Sequence, residues 1–331
     1  MSKSGVGFRN GLKGRRVRLG AQHEVPQVKF PAGSRRAPAR LHPGLGLYLI
    51  LAMAKVTQAE LARQFLALHD GRKILVLPNA WDVASARIFE EAGFPAIGTT
   101  SAGVANALGY PDGQKISRTE MLAVVHRIAD AVSIPVTADM EAGYGAKPED
   151  VAETAREVLA AGAVGMNLED AIDERPDSLC DLSLQKEKIR AVVETSARAD
   201  VPLVLNARTD VFLAGIGAPE TRLARTIERL NAYRDAGAQC LFAPGLKDKE
   251  TIAQLVSGVH GPLNILGTAG TPLVAELEKL GVARVSVGSG PMRATLGLTA
   301  RIARQLREEG SFSLMTDGAM TYADANRLFE R

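Results

Sequence analysis

Cysteine is nearly absent from this chain: Cys180 and Cys240 are the only two in 331 residues. Two thiols make no disulfide framework, and no CxxC pair offers a zinc or redox site, so the sequence suits a reducing, cytoplasmic setting. Histidine is sparse as well. Of the five, His23 and His42 fall in an N-terminal tail, His69 and His126 in helical stretches and His260 in a loop, a distribution that speaks against a zinc centre. Aromatic residues make up only 5% of the chain. Long apolar runs are missing too: the stretch 45–54 stops far short of the roughly 20 residues that a membrane span needs, so no membrane partner is expected.

Excess charge of one sign is also lacking, although the net value of +3 hides a split. Residues 1–52 hold ten Lys/Arg against Glu24 alone, leaving thirty basic and thirty-six acidic residues beyond them. The body is therefore acidic, and nothing in it calls for a nucleic-acid partner. The tail, dense in Gly, Arg, Ser and Pro without a sustained apolar period, predicts a disordered basic extension over 1–52. Its composition imitates a transit peptide; the favoured alternative is that translation starts at Met53, which opens a clean helical stretch.

From Gln58 onward, short β-branched runs alternate with amphipathic helices. Strands are predicted at 74–77, 96–99, 136–139, 165–168, 203–206, 240–243, 263–266 and 284–287. Helices are predicted at 83–92, 118–131, 148–161, 184–199, 220–236, 249–256, 272–280 and 292–309. Four of these helices run into Gly93, Gly162, Gly237 and Gly281, the residue type that ends a helix in the left-handed conformation. Eight such units in about 230 residues predict an α/β fold, a (β/α)8 TIM barrel over 53–310. Residues 311–331 read as a linker and one short helix at 317–331, packed on its own barrel or on a partner subunit's. The rival, a doubly wound open sheet, would show a Gly-rich phosphate turn after the first strand, and residues 77–82 do not.

In a TIM barrel the polar residues at the carboxyl ends of the strands form the active site. Here those positions hold Asn79 and Asp82, then Thr100 and Ser101, Asp139 and Glu141, Asn167, Glu169 and Asp170, and Asn206, Arg208, Thr209 and Asp210. Two carboxylates about 4 Å apart repel by roughly 4 kcal/mol at an effective dielectric near 20, so the cluster needs a cation or shared protons. Carboxylates without His or Cys select a hard ion, Mg2+ or Mn2+, held partly through water. No predicted strand carries a Lys, which excludes a Schiff-base mechanism. Arg208 is suited to clamp a substrate carboxylate, the structural alternative being an ion pair with Asp210 or Glu169. Backbone N–H groups over 100–103 are expected to face a developing oxyanion. Trp81 is read as packing, and the glycines of Gly288-Ser289-Gly290 fit close helix packing as well as a phosphate site.

Five ordered blocks then resemble one family: Pro78-Asn79-Ala80-Trp81-Asp82; Thr100-Ser101-Ala102-Gly103 with Gly109-Tyr110-Pro111-Asp112-Gly113; Asp139-Met140-Glu141-Ala142-Gly143-Tyr144-Gly145; Asn167-Leu168-Glu169-Asp170; and Asn206-Ala207-Arg208-Thr209-Asp210. They are similar to the isocitrate lyase/phosphoenolpyruvate mutase superfamily, from about Leu75 to the end. The resemblance implies a lyase that breaks a C–C bond of a small 2-hydroxy or 2-oxo (di)carboxylate through a pyruvate-enolate-type intermediate. It also implies Asp139 as the inner metal ligand, with Glu141 and Glu169 holding metal-bound water. Thr100, Ser101, Ala102, Gly103, Asn206 and Arg208 would bind substrate, Arg208, Thr100 and Ser101 also serving catalysis, and Asp112 would lie near the reacting end. A homo-oligomer, dimer or tetramer, exchanging the C-terminal helix is expected. One departure matters: the Lys-(Lys/Arg)-Cys-Gly-His loop of isocitrate and methylisocitrate lyases is missing from 171–181, which argues against those two activities. Cys180 lacks an adjacent Lys or His that would make it a substitute thiol. P–C chemistry of the phosphonopyruvate or phosphoenolpyruvate type, by mutase or hydrolase, and a barrel that binds a 2-oxo acid without turning it over, are the alternatives.

Overall fold

The computed structural model describes residues 56–70, 73–172 and 178–330, all within the compact unit Lys55–Arg331. The expected extension over 1–52 and the centre of the 171–181 loop lie outside the described residues. Nine strand segments, all parallel, follow one another round the sheet: β1 (Leu75–Leu77), β2 (Asn79–Ala80), β3 (Ile97–Thr99), β4 (Val136–Asp139), β5 (Gly165–Glu169), β6 (Val204–Arg208), β7 (Cys240–Phe242), β8 (Leu263–Leu266) and β9 (Arg284–Ser286). β1 pairs with β9 and β2 with β3. The first two segments are thus halves of one barrel strand, split at Pro78, which has no N–H for the ladder. Its carbonyl still accepts from Gly98 N at 2.9 Å. The expected (β/α)8 barrel is what forms.

The helices begin where the sequence supplies caps. Thr57 and Glu60 close a reciprocal capping box, as do Ser117 and Glu120. The predicted C′ glycines do end their helices with positive φ, 83° at Gly93 and 91° at Gly162. Helix Gln58–Ala67 closes one end of the barrel, where Phe65 packs with Leu75, Leu77, Ala96, Val164 and Val204. That insertion requires a bare Cα at Gly165: a Cβ there would lie 2.7 Å from the Phe65 ring and 2.6 Å from Thr137 Oγ1.

Three expectations need correction. A helix not anticipated, Ser101–Ala107, follows β3, because Thr100 caps it by accepting from Gly103 N. β5 and β6 extend to Glu169 and Arg208, which face each other in register. The C-terminal segment folds as two short helices, Ser313–Thr316 and Tyr322–Arg327, with Gly318 between them at φ 68°. Before them, helix Gly290–Glu308 buries only Met292 and leaves Leu296, Leu298 and Leu306 exposed. Among the described residues, no helix is long and apolar enough to cross a membrane.

Candidate active site

At the carboxyl ends of the strands, polar side chains replace the apolar core and bond across the ladder. Asn206 donates to Asn167 Oδ1 at 2.8 Å, and Asn167 donates to Asp139 Oδ1 at 3.2 Å. The other Asp139 oxygen accepts from Ser101 N at 3.0 Å and Ser101 Oγ at 2.9 Å. Parallel register places Asp139 beside Asn167 and Asn167 beside Asn206, so the row follows from the backbone. Asn79 completes the ring. Its Oδ1 accepts from Val287 N and Gly288 N, both at 2.9 Å, and ties the first strand to the last.

Arg208 stands between two carboxylates. Its Nη1 lies 2.6 Å from Glu169 Oε2, while Nε and Nη2 reach the two Asp210 oxygens at 2.6 and 2.8 Å. Phe242 lies beneath, with its ring centre 5.9 Å from the guanidinium carbon. The ion pairs set out above as the structural alternative are therefore real, and a substrate carboxylate would share Arg208 with them. Burial would lower the Arg208 pKa, but Glu169, Asp210 and Asp139 together hold it above its ordinary value. Burial pushes the Glu169 carboxyl well up, against the pull of Arg208 and with the push of Asp210, Asp139 and Glu141. Four acids meet one cation here. With all four ionised the acids would outweigh Arg208, and burial raises the pKa of both Glu169 and Asp210.

Glu141 sits at φ 51° and Tyr144 at φ 56°, two left-handed non-glycine residues in one turn, a conformation retained where function or packing demands it. Gln114, itself at φ 50°, donates its backbone N–H to Glu141 Oε2, and its side-chain oxygen accepts from Tyr144 N at 2.8 Å. The residue just after the 100–113 block thus meets the 141–145 block at Glu141 and Tyr144.

A cavity of about 160 Å³ opens over this floor, lined by Thr100, Ser101, Ala102, Asp112, Asp139, Asn167 and Arg208, with Phe242, Ser286 and Ser289 opposite. Asp112 is exposed at its rim. Glu141 and Glu169 lie outside that lining and are buried. Other expected members are placed elsewhere. Asp82 caps the next helix through Ser85 N at 2.7 Å. Asn206, fully buried, lies below the cavity rather than in its wall. Gly103 spends its N–H on Thr100 and has no room for a Cβ, which would sit 2.9 Å from Trp81 Cβ. The expected row of oxyanion donors is also reduced: Thr100 N goes to Ala80 O and Ser101 N to Asp139, so Ala102 alone of 100–103 has no N–H acceptor among the described residues.

Sequence reasoning missed a second arginine. Arg284 on β9 is 1% exposed, and its Nε and Nη1 find no hydrogen-bond partner among the described residues. An arginine opening a predicted barrel strand was the available signal. Cys180 is buried, and that burial raises its thiol pKa, against the pull of Lys188 and Arg229, two cations that the local sequence did not show.

Among the described residues, no three His, Cys, Asp or Glu side chains are grouped closely enough to bind an ion directly. Each expected ligand is instead held by protein donors: Asp139 by Ser101 and Asn167, Glu141 by Gln114, Glu169 by Arg208. The donor set still fits a hydrated Mg2+, which keeps several waters and needs only one or two carboxylates. Asp139 faces the cavity, the neighbouring donors are oxygen, and the charge of the ionised acids is of the sign that such an ion relieves.

Fold and mouth together define a (β/α)8-barrel protein with an acidic pocket of small-acid size. The phosphoenolpyruvate phosphomutase family matches residues 65–307, and the chain belongs to that family. An uncharacterised protein of Mycobacterium tuberculosis is 37% identical over 241 residues, 73% of this chain and 88% of the relative. The 2-methylisocitrate lyase of Escherichia coli K12 is 30% identical over 257 residues, 74% of this chain and 83% of that enzyme. Among solved structures, oxaloacetate acetylhydrolase with its product oxalate superposes with a TM-score of 0.73 at 29% identity, covering 81% of this chain and 93% of the other. Phosphonopyruvate hydrolase with oxalate and Mg2+ gives 0.72 at 25% identity, covering 81% and 94%.

Proposed function

We propose that this protein is a carbon–carbon lyase acting on a small 2-hydroxy or 2-oxo dicarboxylate with Mg2+ (or Mn2+). The observation that carries the reading is the cavity of about 160 Å³ that presents Asp139, the Thr100–Ala102 segment and Arg208 to one small acid. Asp139 would hold the ion, with Glu141 and Glu169 reaching it through water; bound there, it supplies Lewis-acid polarisation of the 2-oxo group. Arg208 binds and orients the substrate carboxylate, already aimed by the Asp210 fork. The Ala102 N–H stabilises the oxygen on which charge develops, while Ser101 holds Asp139 in place through both of its donors. Asp112, at the rim, lies toward the departing half of the substrate. Cys180 lies outside the cavity lining, which favours substrates simpler than isocitrate or methylisocitrate.

Support for lyase chemistry comes from the family and from relatives named for small carboxylates; the phosphonopyruvate hydrolase likeness keeps P–C cleavage as the outcome to exclude. The test is a panel of oxaloacetate, 2-methylisocitrate and phosphonopyruvate, followed by proton and phosphorus NMR. Cleavage of oxaloacetate, with phosphonopyruvate left intact, is expected. Release of phosphate from phosphonopyruvate as the fastest reaction would transfer the protein to the P–C class, and oxalate binding without any turnover would make it a binding barrel. A cytoplasmic location and a homo-oligomer belong to the same reading. The exposed face of helix Gly290–Glu308, with Phe312, Met315, Met320, Tyr322 and Phe329 beyond it, fits a second copy of the chain.

A further inference from the structure

One buried acid beside the site touches neither cavity nor solvent. Asp170, the residue after β5, is 0% exposed, and its carboxylate accepts four hydrogen bonds. Its Oδ2 receives Thr209 Oγ1 at 2.6 Å, Tyr233 OH at 2.6 Å and Arg229 Nε at 2.7 Å. Its Oδ1 receives Asp210 N at 2.9 Å. Arg229, 5% exposed, also donates through Nη2 to Cys180 O at 2.7 Å, and Cys180 N returns to Asp170 O at 2.8 Å. Burial and the neighbouring Asp170 raise the Tyr233 pKa well above its ordinary value, so its hydroxyl stays a donor.

A satisfied buried ion pair often adds little stability over an apolar replacement, so its placement carries the meaning. These contacts end on three places. Thr209 and Asp210 follow Arg208 directly, and Asp210 is the residue whose carboxylate forks Arg208. Cys180 is where the chain after β5 re-enters helix Leu182–Ala199. Helix Arg222–Asp235 supplies Arg229 and Tyr233 one turn apart, on the same face.

We propose that Asp170, Arg229 and Tyr233 are positioning residues that set Asp210, and through it Arg208, at the angle required to hold a substrate carboxylate. The proposal rests on the reading of Arg208 as the carboxylate clamp, and its test separates the two. Tyr233→Phe removes one donor and keeps the ring. Amide exchange at Asp210 and Cys180 should then quicken roughly tenfold while β7 and β8 stay unchanged, the loss of one hydrogen bond to a charged group being worth about that factor. Oxalate affinity in the presence of Mg2+ should fall by a similar factor, as should kcat/KM for any substrate turned over, with the loss in KM rather than kcat. Thr209→Val, which removes a different donor from the same carboxylate, should act alike.

Unchanged exchange at both amides in folded Tyr233→Phe overturns the proposal whatever the ligand does. Faster exchange with wild-type oxalate affinity overturns it also, because the hub would then be structural only. Failure of wild-type protein to bind oxalate sinks the clamp reading and takes the proposed role with it, although the exchange result still shows whether the hub holds Asp210. If neither variant folds, the hub serves the fold and the proposal is wrong.

Discussion

Arg208 shows how one side chain can hold together a site that its neighbours would push apart. Glu169 and Asp210 flank it at 2.6 Å each, and Asp139 and Glu141 lie within electrostatic reach of Glu169. Lysine could keep the charge but not the fork. Arg208→Lys should therefore weaken oxalate binding by roughly ten- to a hundredfold, the range expected when a charge-assisted fork is lost, with the fold retained. Calorimetry on the variant measures it; binding within twofold of wild type would remove Arg208 from the clamp. A different residue sets the response to acid. His69 is 3% exposed, with Nδ1 on Phe65 O at 2.8 Å. Burial, with help from the Arg284 charge, depresses its pKa from 6.5 to about 4. The unfolded chain takes up this proton below about pH 6.5 while the folded one refuses it until about pH 4. His69 thus adds no pH dependence above pH 6.5, and its contribution lowers stability as pH drops between those values, by about 3 kcal/mol in all. Denaturation midpoints of His69→Gln across that window should slope less steeply than wild type; identical slopes would show that His69 is not the group responsible.

At the scale of elements, the contact between helix Gln58–Ala67 and the barrel end is tight enough to test with one methyl group. Gly165→Ala would drive a Cβ against Phe65 and Thr137 Oγ1, and should cost about 1–3 kcal/mol in urea unfolding. An unchanged midpoint would mean that the helix yields freely. Strand and helix order was legible in the sequence because parallel strands read as apolar runs and C′ glycines punctuate them. What escaped depends on contacts across the barrel. Pro78 splits the first strand because it has no N–H for the ladder, but which neighbours the two halves then take is settled across the barrel. The Ser101–Ala107 helix was hidden because its few residues carry no amphipathic period, and only the Thr100 cap marks it. The positions of Asp139, Glu169 and Arg208 at strand ends could be read in advance, since the fold dictates them. That Asp82 would become a cap and Asp170 a buried hub could not, since their partners Ser85, Arg229 and Tyr233 are fixed by local turn geometry and by a helix distant in sequence.

At the scale of the whole molecule, the C-terminal segment is the least self-contained part. Tyr322 is 88% exposed and Phe312 61%, on a helix pair in which little is buried. Light scattering after size exclusion should give a dimer or larger, and removal of 311–331 should lower the assembly state; a monomer in both cases would contradict the expected exchange. The proposed chemistry needs Asp139, with Glu141 and Glu169 acting through water, and Arg208 to hold one divalent ion and one small acid. Calorimetric titration of oxalate into wild type and Asp139→Ala, each with Mg2+ and with EDTA, tests it most directly. Binding is expected only for wild type with Mg2+. Equal binding in EDTA, or binding undiminished in Asp139→Ala, would contradict it.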